Sequence, residues 1–169
     1  MDASIRRNQM LELLRKSDRP ISAASLAGTY HVSRQIIVGD IALLRAAGNE
    51  IEATARGYMI PAASAQLRRR IACRHQSEQM REELYAIVDN GCTVIDVIVE
   101  HPLYGQLTGM LQLSNRYEVD QFVEKSLKTE AIPLSFLTEG IHIHTISCPT
   151  EEAGDRVESA LKEMGVLLT

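Results

Sequence analysis

Residues 21–48 read ISAASLAGTYHVSRQIIVGDIALLRAAG, and the organisation of the chain turns on what this stretch forms. Ser22 is placed to cap a short helix containing Ala24, Leu26 and Ala27, and His31, Val32 and Ser33 make a tight connection. Ser33 then caps a longer helix that runs to about Ala47 and is stopped by Gly48. Ile36, Ile37, Ile41, Leu43 and Leu44 are expected on its buried side. Two helices joined by a short turn, the second longer and capped, make the helix-turn-helix pattern.

Outward from this pair, SIRRNQMLELLRKSDRP (residues 4–20) predicts a helix capped by Ser4, with Ile5, Met10, Leu13 and Leu14 as its apolar stripe and Pro20 beyond its end. On the other side NEIEATARGYMI (residues 49–60) alternates as a short hairpin, with Ile51 and Ala53 before a turn near Arg56 and Gly57, then Tyr58 and Ile60. That hairpin is a wing. A winged helix-turn-helix sets Ser33, Arg34 and Gln35 at the N-terminal end of the recognition helix, facing the major groove of double-stranded DNA. Arg and Gln carry the donors that read guanine and adenine edges, and Ser33 with the helix N-terminus holds a phosphate. Arg56 at the wing tip reaches a phosphate or the minor groove. Arg6, Arg7 and Lys16 either add salt-dependent affinity or are simply solvated. His31 reads as structural or solvated.

Charge supports this division of labour. Residues 1–74 carry twelve Lys and Arg against six Asp and Glu, a balance of +6, while residues 75–169 stand at −10. One half approaches a polyanion and the other is repelled by it. No apolar run reaches 18 residues, so no membrane span is expected. The N-terminus has charges throughout and no signal-peptide core. Cys73, Cys92 and Cys148 are odd in number and share no CxxC spacing. Free thiols in a reducing cytoplasm are the expectation, which makes zinc-ribbon and disulfide-scaffold readings poor ones.

The small-residue stretch at 61–66 marks a boundary, giving a DNA-binding domain at 1–62 and a second domain at 63–169. In the second, a helix is expected over Gln76–Asn90, a buried strand at CTVIDVIVE, a strand at YGQLTGMLQL and a helix with the stripe Val119, Phe122, Val123 and Leu127. Strands at IPLSFL and GIHIHTISC flank a TEG turn. A threonine-capped helix at TEEAGDRVESALKEMG and a last strand VLLT follow. From Leu103 the order is β-α-β-β-α-β, the split pattern of ferredoxin-like folds, preceded by an extra helix and strand. The fold class is α+β: a winged helix-turn-helix followed by a ferredoxin-like sandwich with helices on one face of a mainly antiparallel sheet.

His142 and His144 lie one residue apart in a strand, so both imidazoles face the same side, about 7 Å apart, while Ile141, Ile143 and Ile146 help fill a core. Two imidazoles on one face either begin a metal site or stand on a wet sheet face. Further ligands are available from HQSEQMREEL, where His75 precedes a helix bearing Glu78, Glu82 and Glu83. His101, before Pro102 at a strand end, either contacts a ligand or closes a turn.

The combination SRQIIVGDIALLRAAG, EATARGYMI, HQSEQMREEL, VIDVIVEHPLYGQLTG and TEGIHIHTISCP resembles the niacin-responsive transcriptional repressors over nearly the whole chain. The resemblance implies a winged helix-turn-helix joined to a three-histidine domain that binds one divalent transition metal per subunit through His75, Glu83, His142 and His144. It implies nicotinic acid as effector, with His101 at the effector site. It further implies a homodimer on palindromic operators of NAD-biosynthesis and niacin-uptake genes, bound more tightly with niacin present. Three imidazoles and one carboxylate suit nickel, zinc or iron(II). Gly39 departs from the longer polar residue expected on the recognition helix. A repressor that senses metal alone is the alternative. A metal hydrolase is disfavoured, because no nucleophile or acid–base constellation stands apart from the assigned ligands, and His101 as a base is thin support.

Overall fold

A computed structural model describes residues 2–62 and 66–169. The chain divides into two compact units, Met1–Ser64 and Ala65–Thr169.

In the first unit, helices α1 (Ala3–Lys16), α2 (Ala23–Tyr30) and α3 (Arg34–Ala46) precede a hairpin of β1 (Glu52–Thr54) and β2 (Gly57–Met59). Ser22 and Ser33 cap α2 and α3 by accepting from the N–H groups of Ser25 and Ile36. The cap of α1 is Asp2, not Ser4; its carboxylate accepts from the N–H groups of Ser4 and Ile5. The core is Met10, Leu14, Leu26, Tyr30, Ile37, Ile41, Leu44 and Ile51. Several expected core residues point outward instead: Ile5, Leu13, Ile36 and Leu43 are exposed. The helical period explains this, since Ile37, Asp40, Ile41 and Leu44 already fill the inner face of α3. Asp40 belongs there because Arg6 comes to meet it. The Arg6 Nε donates to the carboxylate at 2.6 Å, both groups being buried, and pins α1 to α3. Arg6 is therefore neither a phosphate contact nor solvated. The wing turns at Ala55 and Arg56, and its β2 pairs with Ile21 through Tyr58. Gly57 must be glycine: a Cβ there would stand 2.3 Å from the Ile21 carbonyl oxygen.

The second unit is a four-stranded sheet in the order β3-β6-β4-β5, with every neighbour antiparallel. Its strands are β3 (Leu67–Arg74), β4 (Thr93–His101), β5 (Gly105–Leu113) and β6 (Ile141–Cys148); its helices are α4 (Met80–Asp89, led by a 3₁₀ turn at Ser77–Gln79), α5 (Arg116–Lys128) and α6 (Glu151–Glu163). The crossovers are split: β6 lies between β3 and β4, and β4 between β5 and β6. The β-α-β-β-α-β succession starts at Leu67, not Leu103, because LRRRIACR is a strand. Three expectations fail here. IPLSFL is a 3₁₀ helix (Leu134–Thr138), packed on β4 and β6. VLLT gives only an isolated bridge from Leu167 to Cys73. Leu127 is exposed, and Val119 and Val123 carry the inner face of α5.

Strand alternation sorts the two faces of the sheet. Arg69 reaches α6, bonding Glu151, Asp155 and Glu158, so Arg69, Ile71 and Cys73 share the helix-bearing face. The register sets Ile71 opposite His144 and Cys73 opposite His142, which puts both histidines on that face too. Ile141 and Ile143 point the other way. Of the three isoleucines, Ile146 alone is buried.

Candidate functional site

The three histidines and Glu83 come together beneath the helices. His75 follows β3, where its N–H donates to the Gly140 carbonyl and continues the β3–β6 ladder. Glu83 projects from the first turns of α4. His142 and His144 come from β6, their ring centroids 4.8 Å apart, closer than side-by-side strand positions suggest. All four are buried, Glu83 to 1% exposure. Glu78 and Glu82 lie outside, exposed on the same segment.

Each imidazole is oriented by main chain. His75 Nδ1 lies 2.7 Å from the Gln76 carbonyl oxygen, His142 Nδ1 2.8 Å from that of Gly140, and His144 Nδ1 2.7 Å from that of Asp96. A carbonyl only accepts, so each Nδ1 carries its proton and each Nε2 faces inward. The inward nitrogens converge on one carboxylate: His75 at 2.5 Å and His142 at 2.7 Å from separate oxygens, and His144 at 3.4 Å.

The electrostatics follow from this convergence. Burial alone would raise the Glu83 carboxyl, but the charge of His144 and the bonds from all three imidazoles hold it well below the ordinary 4.5. Burial likewise opposes charge on His75 and His144, yet Glu83 outweighs it and holds both above the ordinary 6.5. Three inward lone pairs around a carboxylate repel unless positive charge lies among them. Protons supply it at the cost of crowding imidazolium groups. A divalent cation supplies it with four donors already aimed, and nitrogen and oxygen ligands of this kind suit transition metals. The residues fit a metal.

Cys73 adds a donor that sequence reading missed. Its sulfur, a Glu83 oxygen and a His142 ring nitrogen all lie within 4.8 Å of one another. The signal was present as C-x-H at 73–75, the same spacing as H-x-H at 142–144, but residues 67–74 did not read as a strand.

His101 lies apart from this cluster, at the end of β4. Its Nδ1 accepts from the N–H groups of Leu103 and Tyr104, so its Nε2 carries the proton and is a donor. Leu103 and Tyr104 at the hairpin tip, and Phe136 on the 3₁₀ helix, are exposed apolar groups of the same unit.

In the first unit, Ser33, Arg34 and Gln35 are exposed at the start of α3. Ser33 already spends its hydroxyl on the cap. Arg56 is half-buried in the wing turn, where its N–H donates to the Thr54 hydroxyl. Ile36 and Val38, 43% and 41% exposed beside Arg34 and Gln35, add an apolar component that contacts thymine methyl groups in major-groove readers. The charge asymmetry shrinks when drawn at the structural boundary. Arg68, Arg69, Arg70 and Arg74 belong to β3, leaving eight basic against six acidic residues in the first unit, a balance of +2. No helix among the described residues is long and apolar enough to cross a membrane.

Comparison with known proteins agrees with this division. Residues 6–59 match an HTH domain and residues 68–169 match the 3H domain. The chain is 46% identical over 167 residues to the transcription repressor NadR of Bacillus subtilis, covering 96% of this chain and 93% of that one. It is 41% identical over 163 residues to the probable transcription repressor NiaR of Thermotoga maritima, with the same coverage. With its C-terminal unit matched throughout and both relatives spanned nearly end to end, the chain belongs to the 3H-domain family.

Proposed function

We propose that this protein is a DNA-binding transcriptional repressor of NAD metabolism. In this reading His75, Glu83, His142 and His144 hold a divalent transition metal, nickel, zinc or iron(II). Nicotinic acid acts as co-repressor, and a homodimer binds a palindromic operator. The observation that carries the metal reading is the inward aim of three main-chain-anchored imidazoles at one buried carboxylate. The DNA reading rests on the capped α3 with exposed Arg34 and Gln35, on the wing, and on relatives named as transcription repressors. The His101 Nε2–H is a donor suited to a carboxylate, which favours an organic acid as effector over metal alone. An effector shifts the two-winged arrangement only if it binds the operator-competent form more tightly.

The test is calorimetry of nicotinic acid on the full chain, as purified and after chelation, paired with an operator mobility-shift assay. Niacin binding with tighter operator binding in its presence is expected; binding lost on chelation puts the effector beside the metal, and binding that survives it puts the effector at His101, with the metal structural. Operator affinity that depends on metal but ignores niacin overturns the co-repressor assignment in favour of a metal sensor.

A further inference from the structure

We propose that Cys73 is a thiolate ligand of the metal held by His75, Glu83, His142 and His144; the inference rests on the metal reading above. Three observations carry it. Strand alternation sets Cys73 and His75 on the helix-bearing face of the same segment, and the register sets Cys73 directly opposite His142. Its sulfur lies within 4.8 Å of both the Glu83 carboxylate and the His142 ring nitrogen. The side chain is 0% exposed. Adjacent donors about 2.0–2.3 Å from one five-coordinate ion lie about 3–3.5 Å apart, so an adjustment of about 1–2 Å brings the sulfur into the set.

Charge gives the reason for a fifth donor. A divalent ion with three neutral imidazoles and one carboxylate leaves one positive charge in a site closed to water, and uncompensated buried charge is costly. A thiolate brings the site to neutrality. On metal binding the Cys73 S–H bond breaks, its electron pair forms the sulfur–metal bond, and the proton leaves to solvent. A soft sulfur among nitrogen and oxygen donors also biases the site towards nickel, cobalt or zinc over magnesium and manganese.

The experiment is titration of cobalt(II) into the chelator-stripped full chain, followed by absorption. Visible d–d bands report that cobalt is bound, and a near-ultraviolet sulfur-to-cobalt charge-transfer band reports a thiolate ligand. Both are expected in the unaltered chain. Cys73→Ser is expected to lose the charge-transfer band, keep the visible bands and bind cobalt about tenfold or more weakly. Cys92→Ser, whose thiol pairs with Cys148 at 3.2 Å elsewhere in the unit, keeps both bands. Visible bands without a charge-transfer band in the unaltered chain overturn the proposal and leave the four-ligand site standing. Absence of both sets of bands removes the metal reading and this proposal with it. Because the decisive spectrum is that of the unaltered chain, a variant that fails to fold does not rescue the idea.

Discussion

Gly140 joins the two halves of the histidine cluster, and replacing it by alanine tests how that cluster is held. Its carbonyl accepts from the His75 N–H and from His142 Nδ1, so one residue positions two imidazoles. Its φ is +90°, and an added Cβ would stand 2.2 Å from the His75 carbonyl oxygen. The left-handed backbone costs about 1–2 kcal/mol for a residue with a Cβ. Relieving the clash means moving His75 and weakening its ladder bond, roughly another 1 kcal/mol. Gly140→Ala is therefore expected to destabilise the second unit by about 2–3 kcal/mol. Hydrogen exchange reads this unit independently of the first: the slowest amides of β6 are expected to lose about 30- to 150-fold in protection. Gly165→Ala is the control. Its φ is +74° but nothing lies within 4 Å of its Cβ position, so only the backbone cost applies, about 1–2 kcal/mol. Equal losses of protection in the two variants, or none for Gly140→Ala, would refute the argument from close approach.

Other consequences can be measured separately. Stripped of metal, the second unit is expected to be most stable between about pH 4.5 and 6.5, the ordinary Glu and His values. Glu83, depressed when folded, contributes fully above 4.5 and loses its contribution as pH falls through its folded value. His75 and His144, raised when folded, contribute fully below 6.5 and lose theirs as pH climbs through their folded values. A melting temperature of the stripped protein that climbs steadily to pH 8 would contradict this. Gly39→Ala, in exposed mid-helix with nothing within 4 Å of the new Cβ, is expected to stabilise the first unit by about 1 kcal/mol; a lower denaturation midpoint would count against it. Arg34→Ala is expected to weaken operator binding by about 1–3 kcal/mol with folding intact, and unchanged affinity in a titrated shift assay would remove Arg34 from the interface.

What could be read from sequence was what is local. Ser22, Ser33 and Thr150 announce their helices because a cap is satisfied within three residues. His142 and His144 share a face by alternation alone. The losses were non-local. The Arg6–Asp40 pair spans 34 positions, and nothing near either residue signals it. The β3 strand hides behind three consecutive arginines: Arg69 lies over the inner face only because α6 offers acidic partners 82 to 89 residues away. IPLSFL has the apolar run of a strand, but packing on β4 and β6 takes it as a 3₁₀ helix. Burial of the histidines was equally hidden, since an alternating Ile/His strand does not say which set faces the helices.

The anchoring of the imidazoles has a consequence for how such a centre tolerates change. The groups that fix the three tautomers are the carbonyls of Gln76, Gly140 and Asp96, and a carbonyl survives any substitution of its own side chain. Replacing Gln76 leaves the orientation of its imidazole untouched, whereas a centre oriented by carboxylate side chains loses it with one mutation. The outer sphere of this site is encoded in strand register and turn shape. Its information is distributed over the fold, and it yields to backbone distortion sooner than to exchange of neighbouring side chains.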